Sequence, residues 1–273
     1  MTDVHTLPSL ESLYEVDQAS IDAYRKDGHV VLRGVCSPDE IEAYGPAIKD
    51  AAFRYNRETR PLEERGTYGK AFLQVPNIWT KDEAVAKFVL AKRFAKIAAD
   101  LLEVDSVRLY HDQALFKEAG GGRTPWHQDM YYWPLDTDRT ITMWMPLVDV
   151  TADIGSMSFA SGSQKLGFLG EYAISDESEA AFTAMLEDKQ LSVRTHGALA
   201  AGDATFHDGW ILHAAPPNPT GNLRAVMTVI YYADGVRLVD PIPPYQVADR
   251  DKWMPGCEPG GPAVSELNPI VWP

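Results

Sequence analysis

Cysteine is nearly absent from this chain of 273 residues, which carries only Cys36 and Cys257, far apart in the sequence. Two distant cysteines do not make a disulfide framework, so we expect a protein of the reducing cytoplasm. The chain also lacks any run of about 18 apolar residues, which excludes a predicted transmembrane helix. Its acidic start, MTDVHTLPSLESLYEVDQ, has neither a basic nor an apolar segment, and it therefore predicts no signal peptide.

Basic residues are also few in this chain. There are 25 Lys and Arg residues against 39 Asp and Glu, a formal net charge of −14. A surface this acidic disfavours nucleic acid and anionic membranes as partners, because binding to phosphates depends on clustered cations. It also disfavours an acyl-coenzyme A substrate. What remains is ordinary: 45% hydrophobic and 23% charged residues are typical of a globular protein with a real core.

The N-terminal part of the sequence predicts helices. An amphipathic helix is expected over residues 17–28, followed by a strand with the sequence HVVLRGV. Ser37, Pro38 and Glu40 form a capping box that begins a helix running to about Arg57. Residues 58–70, rich in charge and glycine, predict a loop, and residues 82–103 predict one or two more helices.

Farther along, the pattern changes to short apolar segments rich in β-branched and aromatic residues, at 107–116, 140–150, 203–207, 210–214 and 223–233. One helix, at roughly 175–190, interrupts them. Short strands without regular intervening helices indicate an antiparallel sandwich or barrel. We therefore expect one domain over 1–273: a helical layer (about 1–105), a double-sheet β-core (about 106–240) and an irregular proline-rich wrap (241–273).

Two motifs carry possible chemistry. In Trp126-His127-Gln128-Asp129, a strand would place His127 and Asp129 on one face, about 7 Å apart along the backbone, so that both reach one metal ion. Residues 210–233 predict a hairpin that makes His213 and Arg224 neighbours across the ladder. A buried arginine needs an anionic partner, and a bound carboxylate or a distant acidic side chain would each serve.

Taken together, two histidines and one carboxylate form the facial triad of non-haem iron(II) oxygenases. Arg224 adds the cation that a 2-oxoacid cosubstrate requires for its far carboxylate. Here the chain resembles the phytanoyl-CoA dioxygenase family of iron(II)- and 2-oxoglutarate-dependent oxygenases, over most of residues 20–240. The resemblance is carried by DGHVVLRGVCSPDEIEA, FLQVPNIW, LYHDQALFKEAGGGRTPWHQDMYYWP, TMWMPLVDV, IGSMSFASGSQK and GDATFHDGWILHAAPPNPTGNLRAVMTVIYYADG.

The resemblance implies a mainly β fold with a double-stranded β-helix (jelly-roll, cupin-like) core behind the helical layer. It implies Fe(II) bound by His127, Asp129 and His213, with 2-oxoglutarate and O2 as cosubstrates. Arg224 would bind the distal carboxylate of 2-oxoglutarate, with Thr142 and Gln113 as weaker candidates for the same site. Many relatives have Ser where this chain has Ala215, so one hydrogen bond to the cosubstrate is expected to be missing.

Other residues near the motifs have competing interpretations. His207 competes with His213 as third ligand, and we expect it to be structural instead. Lys117 matches a lysine that often borders the cosubstrate in the family, but we expect it to be solvated. Trp133 resembles an aromatic position that lines the pocket in relatives. His111 and Tyr131 are further candidates for the substrate pocket, and a satisfied core histidine is an equal interpretation of His111.

The expected reaction is oxidation, by default hydroxylation, of a small metabolite such as a natural-product intermediate, with release of succinate and CO2. Desaturation, epimerisation and oxidative ring closure stay open. Two rivals use the same scaffold: a zinc hydrolase with the same three ligands, and a non-catalytic jelly-roll binding protein. The substrate itself, and whether the protein is a monomer or a homodimer, cannot be predicted from the sequence.

Overall fold

A computed structural model describes residues 6–151, 154 and 156–273 of the chain. Seven α-helices occur in the described residues. They are α1 Gln18–Asp27, α2 Pro38–Tyr55, α3 Thr67–Ala71, α4 Glu83–Val89, α5 Lys92–Leu102, α6 Asp176–Asp188 and α7 Val247–Trp253. Helix α2 begins as expected: the Ser37 hydroxyl accepts from the Glu40 amide, and the Glu40 carboxylate accepts from the Ser37 amide.

Eleven strands occur in the same described ranges, all antiparallel where they pair. They are β1 His29–Leu32, β2 Leu73–Pro76, β3 Val107–Lys117, β4 Thr124–His127, β5 Thr140–Pro146, β6 Ser158–Ala160, β7 Val193–Thr195, β8 Ala204–Asp208, β9 His213–Ala215, β10 Arg224–Ala233 and β11 Ile270–Trp272. A large sheet has the order β1-β8-β5-β10-β3-β11, with β2 also on β3, and a small sheet has the order β4-β9-β6-β7.

The two faces of the large sheet have different neighbours. On β10, Ala225, Met227, Val229 and Tyr231 join the core formed with the N-terminal helices. The alternate residues, among them Thr228 and Ile230, face a cavity on the side of the small sheet. Every residue of β10 is buried, so the strand is covered on both faces, and apart from Arg224 and Thr228 its side chains are apolar or aromatic. The predicted jelly-roll fold with a helical layer is confirmed; the single-domain division stays a prediction.

Two local predictions were wrong. Part of the expected loop at 58–70 is helical, since α3 begins at Thr67. The expected irregular wrap after residue 241 contains α7 and β11, because its many prolines cluster before and after the short VADRDKW segment rather than inside it.

Both cysteines are buried free thiols. In the described part of the chain, no helix is long and apolar enough to cross a membrane.

Candidate active site

A cavity of about 390 Å³ lies between the two sheets. Strands β3, β5, β8 and β10 of the large sheet form one wall, and β4 and β9 of the small sheet form the other. Helices α3 and α7 contribute residues at its edges. Enclosure between two sheets keeps the polar groups that face the cavity away from bulk water, which strengthens their electrostatic interactions.

His127 and Asp129 both line this cavity, but they reach it from different kinds of backbone. His127 is the last residue of β4, whereas Asp129 begins a 3₁₀ turn over Asp129–Tyr131. The prediction that both lie in one strand was therefore wrong. They converge because the chain bends after Gln128, whose side-chain amide donates to the carbonyl oxygens of Gly167 and Trp210.

Glycine is required where this turn meets β8. The amide of Met130 donates to the carbonyl oxygen of Gly209 at 2.9 Å, which holds the turn against the end of the strand. A Cβ atom at position 209 would fall 2.3 Å from the Thr140 hydroxyl and 2.7 Å from the Met130 side chain. Gly209 therefore permits the close approach that places Asp129 in the cavity.

The third member of the cluster, His213, comes from β9, where it lies directly opposite His127 in the register of the small sheet. The two imidazole centroids are 4.0 Å apart. Nδ1 of His127 is 2.8 Å from the carbonyl oxygen of Pro125, and Nδ1 of His213 is 3.1 Å from that of Ile211. A backbone carbonyl only accepts, so each Nδ1 carries the proton and each Nε2 offers a lone pair.

Asp129 faces both of these lone pairs. Its Oδ1 is 3.6 Å from Nε2 of His127 and 3.8 Å from Nε2 of His213, and the ligand atoms of the three residues lie within 4.8 Å of one another. Burial lowers the pKa of His213. At neutral pH its imidazole is therefore neutral, the form that binds a metal ion.

His207 lies beside this cluster. It is on β8, almost fully buried, with Nε2 3.5 Å from Oδ2 of Asp129 and its ring centroid 4.6 Å from that of His213. Thr142, its neighbour across the β5–β8 ladder, donates its hydroxyl to the same Oδ2 at 3.4 Å. His207 and Thr142 therefore both face one oxygen of Asp129, while His127 and His213 face the other.

Arg224 is the first residue of β10 and is 2% exposed, with its guanidinium carbon 5.3 Å from the centre of the Trp144 ring. Its side chain lines the same cavity as His213, but the predicted hairpin between them was wrong. Strand β9 pairs with β4 and β6, whereas β10 pairs with β3 and β5. Between β9 and β10 lie several prolines, including Pro216 and Pro217, which cannot donate ladder hydrogen bonds. The chain therefore crosses from the small sheet to the large sheet at this point.

Lys117 lies opposite Arg224 in the β3–β10 register and is fully buried, so the expectation that it is solvated was wrong. Its ammonium donates to the carbonyl oxygen of Gly122 and, at 3.3 Å, to the hydroxyl of Thr124. Burial, with the nearby Arg224, lowers the pKa of Lys117 to about 7. Arg224, which lines the cavity, and its ladder neighbour Lys117 are thus two buried basic side chains inside a strongly acidic protein.

Of the other residues that the sequence analysis singled out, some line the cavity and one does not. Gln113, His111 and Trp133 line the cavity, and Ala215 borders it near His213. Tyr131 was a substrate-pocket candidate, but the described lining does not include it. Its ring stacks on that of Tyr245 instead, with the two centroids 4.6 Å apart.

Several lining residues were not predicted from the sequence: Tyr68, Phe72, Gln74, Ile174, Asp249, Lys252 and Trp253. They come from α3 and the residue after it, from β2, from the segment before α6 and from α7. The usable signal was weak: an aromatic pair inside the glycine-rich segment at 66–72, and an isolated Trp in a charged heptapeptide.

The family model for phytanoyl-CoA dioxygenase (PhyH) matches residues 24–226, about three quarters of the chain. The chain belongs to the phytanoyl-CoA dioxygenase family. The matched region contains the cavity's His127, Asp129, His213 and Arg224 and ends before α7. Membership of the family, which the sequence motifs suggested, is thus confirmed.

Two curated proteins are similar to the chain at low sequence identity. The chain is 26% identical over 143 residues to a phytanoyl-CoA dioxygenase domain-containing protein 1 homolog of Dictyostelium discoideum, covering 51% of this chain. It is 24% identical over 199 residues to a probable alpha-ketoglutarate-dependent hypophosphite dioxygenase of Stutzerimonas stutzeri, covering 71% of this chain. The matches span 48% and 66% of the lengths of these relatives.

Solved structures show the same fold. The non-heme alpha ketoglutarate dependent carbocyclase SnoK from nogalamycin biosynthesis matches with a TM-score of 0.75 and 24% identity, over 97% of this chain and 98% of its own. The epimerase SnoN, in a complex with Fe3+, alpha ketoglutarate and nogalamycin RO, also gives 0.75 and 24%, over 93% and 98%. At 24% identity, this similarity shows only that the chain has the same fold as these two structures.

Proposed function

We propose that the protein is a non-haem Fe(II)- and 2-oxoglutarate-dependent dioxygenase that oxidises a small molecule, by default through hydroxylation. One observation carries the proposal: a His-Asp-His cluster and a buried arginine from a different sheet line the same cavity. The triad alone suits several metals and reactions. The arginine adds a site for a carboxylate within the same enclosed space.

The residues fit a divalent iron ion. His127, Asp129 and His213 would hold it through two imidazole nitrogens and one carboxylate oxygen, the ligand set of the facial triad, which leaves positions open for other molecules. Nitrogen–oxygen separations of 3.6 and 3.8 Å allow one ion to bind both atoms, since each metal–ligand bond is about 2.1 Å long. The carbonyls of Pro125 and Ile211 fix both rings in the required tautomer.

The residues also fit 2-oxoglutarate. Arg224 is buried at the cavity wall with Thr124 and Thr228, whose side chains also line the cavity, and it offers a bidentate site for the distal carboxylate. When bound, the iron and 2-oxoglutarate supply the activation of O2, with release of succinate and CO2. At the position where many relatives have Ser, Ala215 contributes no hydroxyl, so the carboxylate depends more heavily on Arg224.

The protein's own residues would orient the cosubstrate and the metal ligands, and would enclose the bond that is oxidised. Arg224 fixes one end of the cosubstrate, and the Trp144 face beneath its guanidinium restricts where that guanidinium can move. The hydroxyl of Thr142 fixes Oδ2 of Asp129, which leaves Oδ1 directed at the two imidazoles. The enclosing sheets exclude water from the target C–H bond, which prevents wasteful side reactions.

A zinc hydrolase would use the same three ligands but has no task for the buried Arg224. The test is formation of succinate from 2-oxoglutarate by the purified protein, with Fe(II) and O2 each left out in turn. We expect succinate only when both are present. Zinc-dependent activity without succinate would contradict the proposal. We also propose a small natural-product-like substrate rather than an acyl-coenzyme A, and a cytoplasmic location.

His213 rather than His207 is proposed as the third ligand, and the two can be separated by mutation. We expect His213→Ala to lower the affinity for Fe(II) by at least about 100-fold, because it removes a nitrogen that faces Oδ1 of Asp129. His207→Ala is expected to cost about tenfold, because it removes only a neighbour of the other oxygen. Anaerobic titration of both variants with Fe(II) measures this, and equal losses would contradict the assignment.

Binding of 2-oxoglutarate is also expected to take up protons. Lys117 has a pKa of about 7 in the free protein, and a carboxylate bound beside Arg224 would raise it. The complex then holds more protons than the free protein, so the affinity falls as pH rises above about 7. Calorimetry at about pH 8 in two buffers of different ionisation enthalpy measures the uptake.

The matched control is Lys117→Met, which has a similar length and no titrating group. In this variant the proton uptake should disappear and the affinity should vary less with pH. Proton release in the parent, or uptake that persists in Lys117→Met, would contradict the role given to Lys117.

A further inference from the structure

The cavity has two distinct ends, which the β3–β10 ladder defines. Arg224 pairs with Lys117 at one end, and Ile230 pairs with His111 at the other. These pairs are six positions apart on β10, a separation of about 20 Å along the strand. If 2-oxoglutarate occupies the Arg224 end, the other end is left for the molecule that is oxidised.

Helix α7 covers the His111 end. The ring of Trp253 lies 4.8 Å from that of His111. Before the helix, the amide of Gln246 donates to the carbonyl oxygens of Met130 and Tyr131 at 3.2 Å, directly after Asp129. Helix α7 is therefore attached both to β3 and to the turn that carries Asp129, although it lies outside the part of the chain that matches the family model.

One acidic side chain on α7 has no role in the proposed mechanism. Asp249 lines the cavity, and its Oδ2 accepts from the hydroxyl of Tyr110 at 3.5 Å. Burial, opposed by Lys252 and Tyr110, raises the pKa of Asp249 to about 6, so it is mostly ionised at neutral pH. The negative charge of Asp129 contributes to the same rise, which places the two carboxylates within electrostatic reach of each other.

The surfaces around Asp249 are largely aromatic. Trp253 and Trp133 line the cavity near His111, and Tyr68 and Tyr132 are close enough to interact electrostatically with both Asp249 and Asp129. Flat aromatic walls favour a ring-bearing ligand through stacking and apolar contact. An ionised carboxylate among them can accept hydrogen bonds but cannot donate them.

We propose that Asp249 recognises the substrate by accepting a hydrogen bond from a hydroxyl or ammonium group on a ring-bearing molecule. Helix α7 thereby orients the substrate, and the opposite side of the ring faces the His127, Asp129 and His213 cluster. This inference rests on the proposed function, because that function assigns the other end of the cavity to 2-oxoglutarate. An anionic group placed beside Asp249 is disfavoured by repulsion between the two charges, which Lys252 on the same helix offsets only in part.

Three probes that share one ring test the recognition: naphthalene-methanol, naphthalene-methylamine and naphthoate. Binding is measured by quenching of tryptophan fluorescence, since Trp133 and Trp253 both line the cavity. We expect the wild-type protein to bind the alcohol or the amine at least about tenfold more tightly than naphthoate. A tighter amine identifies an ammonium substrate, and a tighter alcohol identifies a substrate with a neutral hydroxyl.

Asp249→Asn should reduce this preference by about tenfold or more while naphthoate binds as well as before or better, which also shows that the cavity is still formed. The matched control is Asp251→Asn on the same helix, which removes the same charge from an exposed side chain paired with Arg250. Asp251→Asn should bind the three probes in the same order of affinity as the wild-type protein.

Each contrary outcome overturns the proposal: naphthoate binding as tightly as the other probes, identical behaviour of the two variants, or binding of none of the three. The titrations are run on the anaerobic protein with Fe(II) and 2-oxoglutarate, so that the carboxylate of naphthoate does not compete for the Arg224 end of the cavity. If 2-oxoglutarate fails to bind but the probe ranking holds, the proposed function fails while the Asp249 site stands.

Discussion

Asp129→Ala is expected to lower the affinity for Fe(II) by at least about 100-fold and to abolish succinate formation. The carboxylate is the only anion that faces Nε2 of both His127 and His213 among the described residues. Loss of a residue that merely supports a metal ligand typically costs 10- to 100-fold in metal affinity, so loss of a direct ligand should cost more. Anaerobic titration with Fe(II), followed by the succinate assay, measures both effects.

The control for this variant is Asp138→Asn, which removes one negative charge from an almost fully exposed side chain. It tests whether the protein's net charge of −14, rather than a specific ligand, attracts the metal. We expect wild-type affinity. Similar losses in Asp138→Asn and Asp129→Ala would mean that Asp129 is not a ligand.

Arg224→Ala is expected to weaken binding of 2-oxoglutarate by about 2–5 kcal/mol, at least about 30-fold, with little change in Fe(II) affinity. A carboxylate taken into the cavity would lose its hydration and its bidentate partner together. Arg224→Lys should recover part of the loss, since it restores the charge but not the two parallel hydrogen bonds. Calorimetric titration with 2-oxoglutarate, in the presence of the metal, measures the series.

Two controls sharpen that series. Arg25→Ala removes a positive charge from an exposed side chain on α1 and should bind 2-oxoglutarate like the parent. Succinate, which keeps one end of the molecule but lacks the 2-oxo acid, should bind weakly and depend on Arg224 in the same sense. If Arg224→Ala binds 2-oxoglutarate as the parent does, the carboxylate lies elsewhere and the assignment of the cavity's two ends is wrong.

The part of the fold that could be predicted from the sequence is the part encoded locally. Ser37 and Glu40 form their capping box within four residues, and the apolar run at 223–233 is a strand whatever its neighbours are. Strand pairing could not be predicted in the same way. His213 and Arg224 are close in sequence, yet they lie in different sheets, because pairing depends on contacts between distant segments.

The candidate site shows the same division. His127, Asp129, His213 and Arg224 could be found because they belong to motifs. Burial of Lys117 could not, since nothing in the residues around it indicates that β3 is covered on both faces. Asp249 and Trp253 belong to a short helix whose position over His111 depends on tertiary contacts alone. The residues that belong to motifs could therefore be predicted from the sequence, whereas the residues at the His111 end of the cavity could not.

The most direct test of the central claim is an anaerobic titration of the metal-free protein with Fe(II) and then 2-oxoglutarate, followed by visible absorption. We predict a weak metal-to-ligand charge-transfer band that appears only when both are present. The band should be lost in His213→Ala and weakened in Arg224→Ala. No band in the parent protein, together with tight binding of zinc, would contradict the oxygenase assignment and favour a zinc hydrolase.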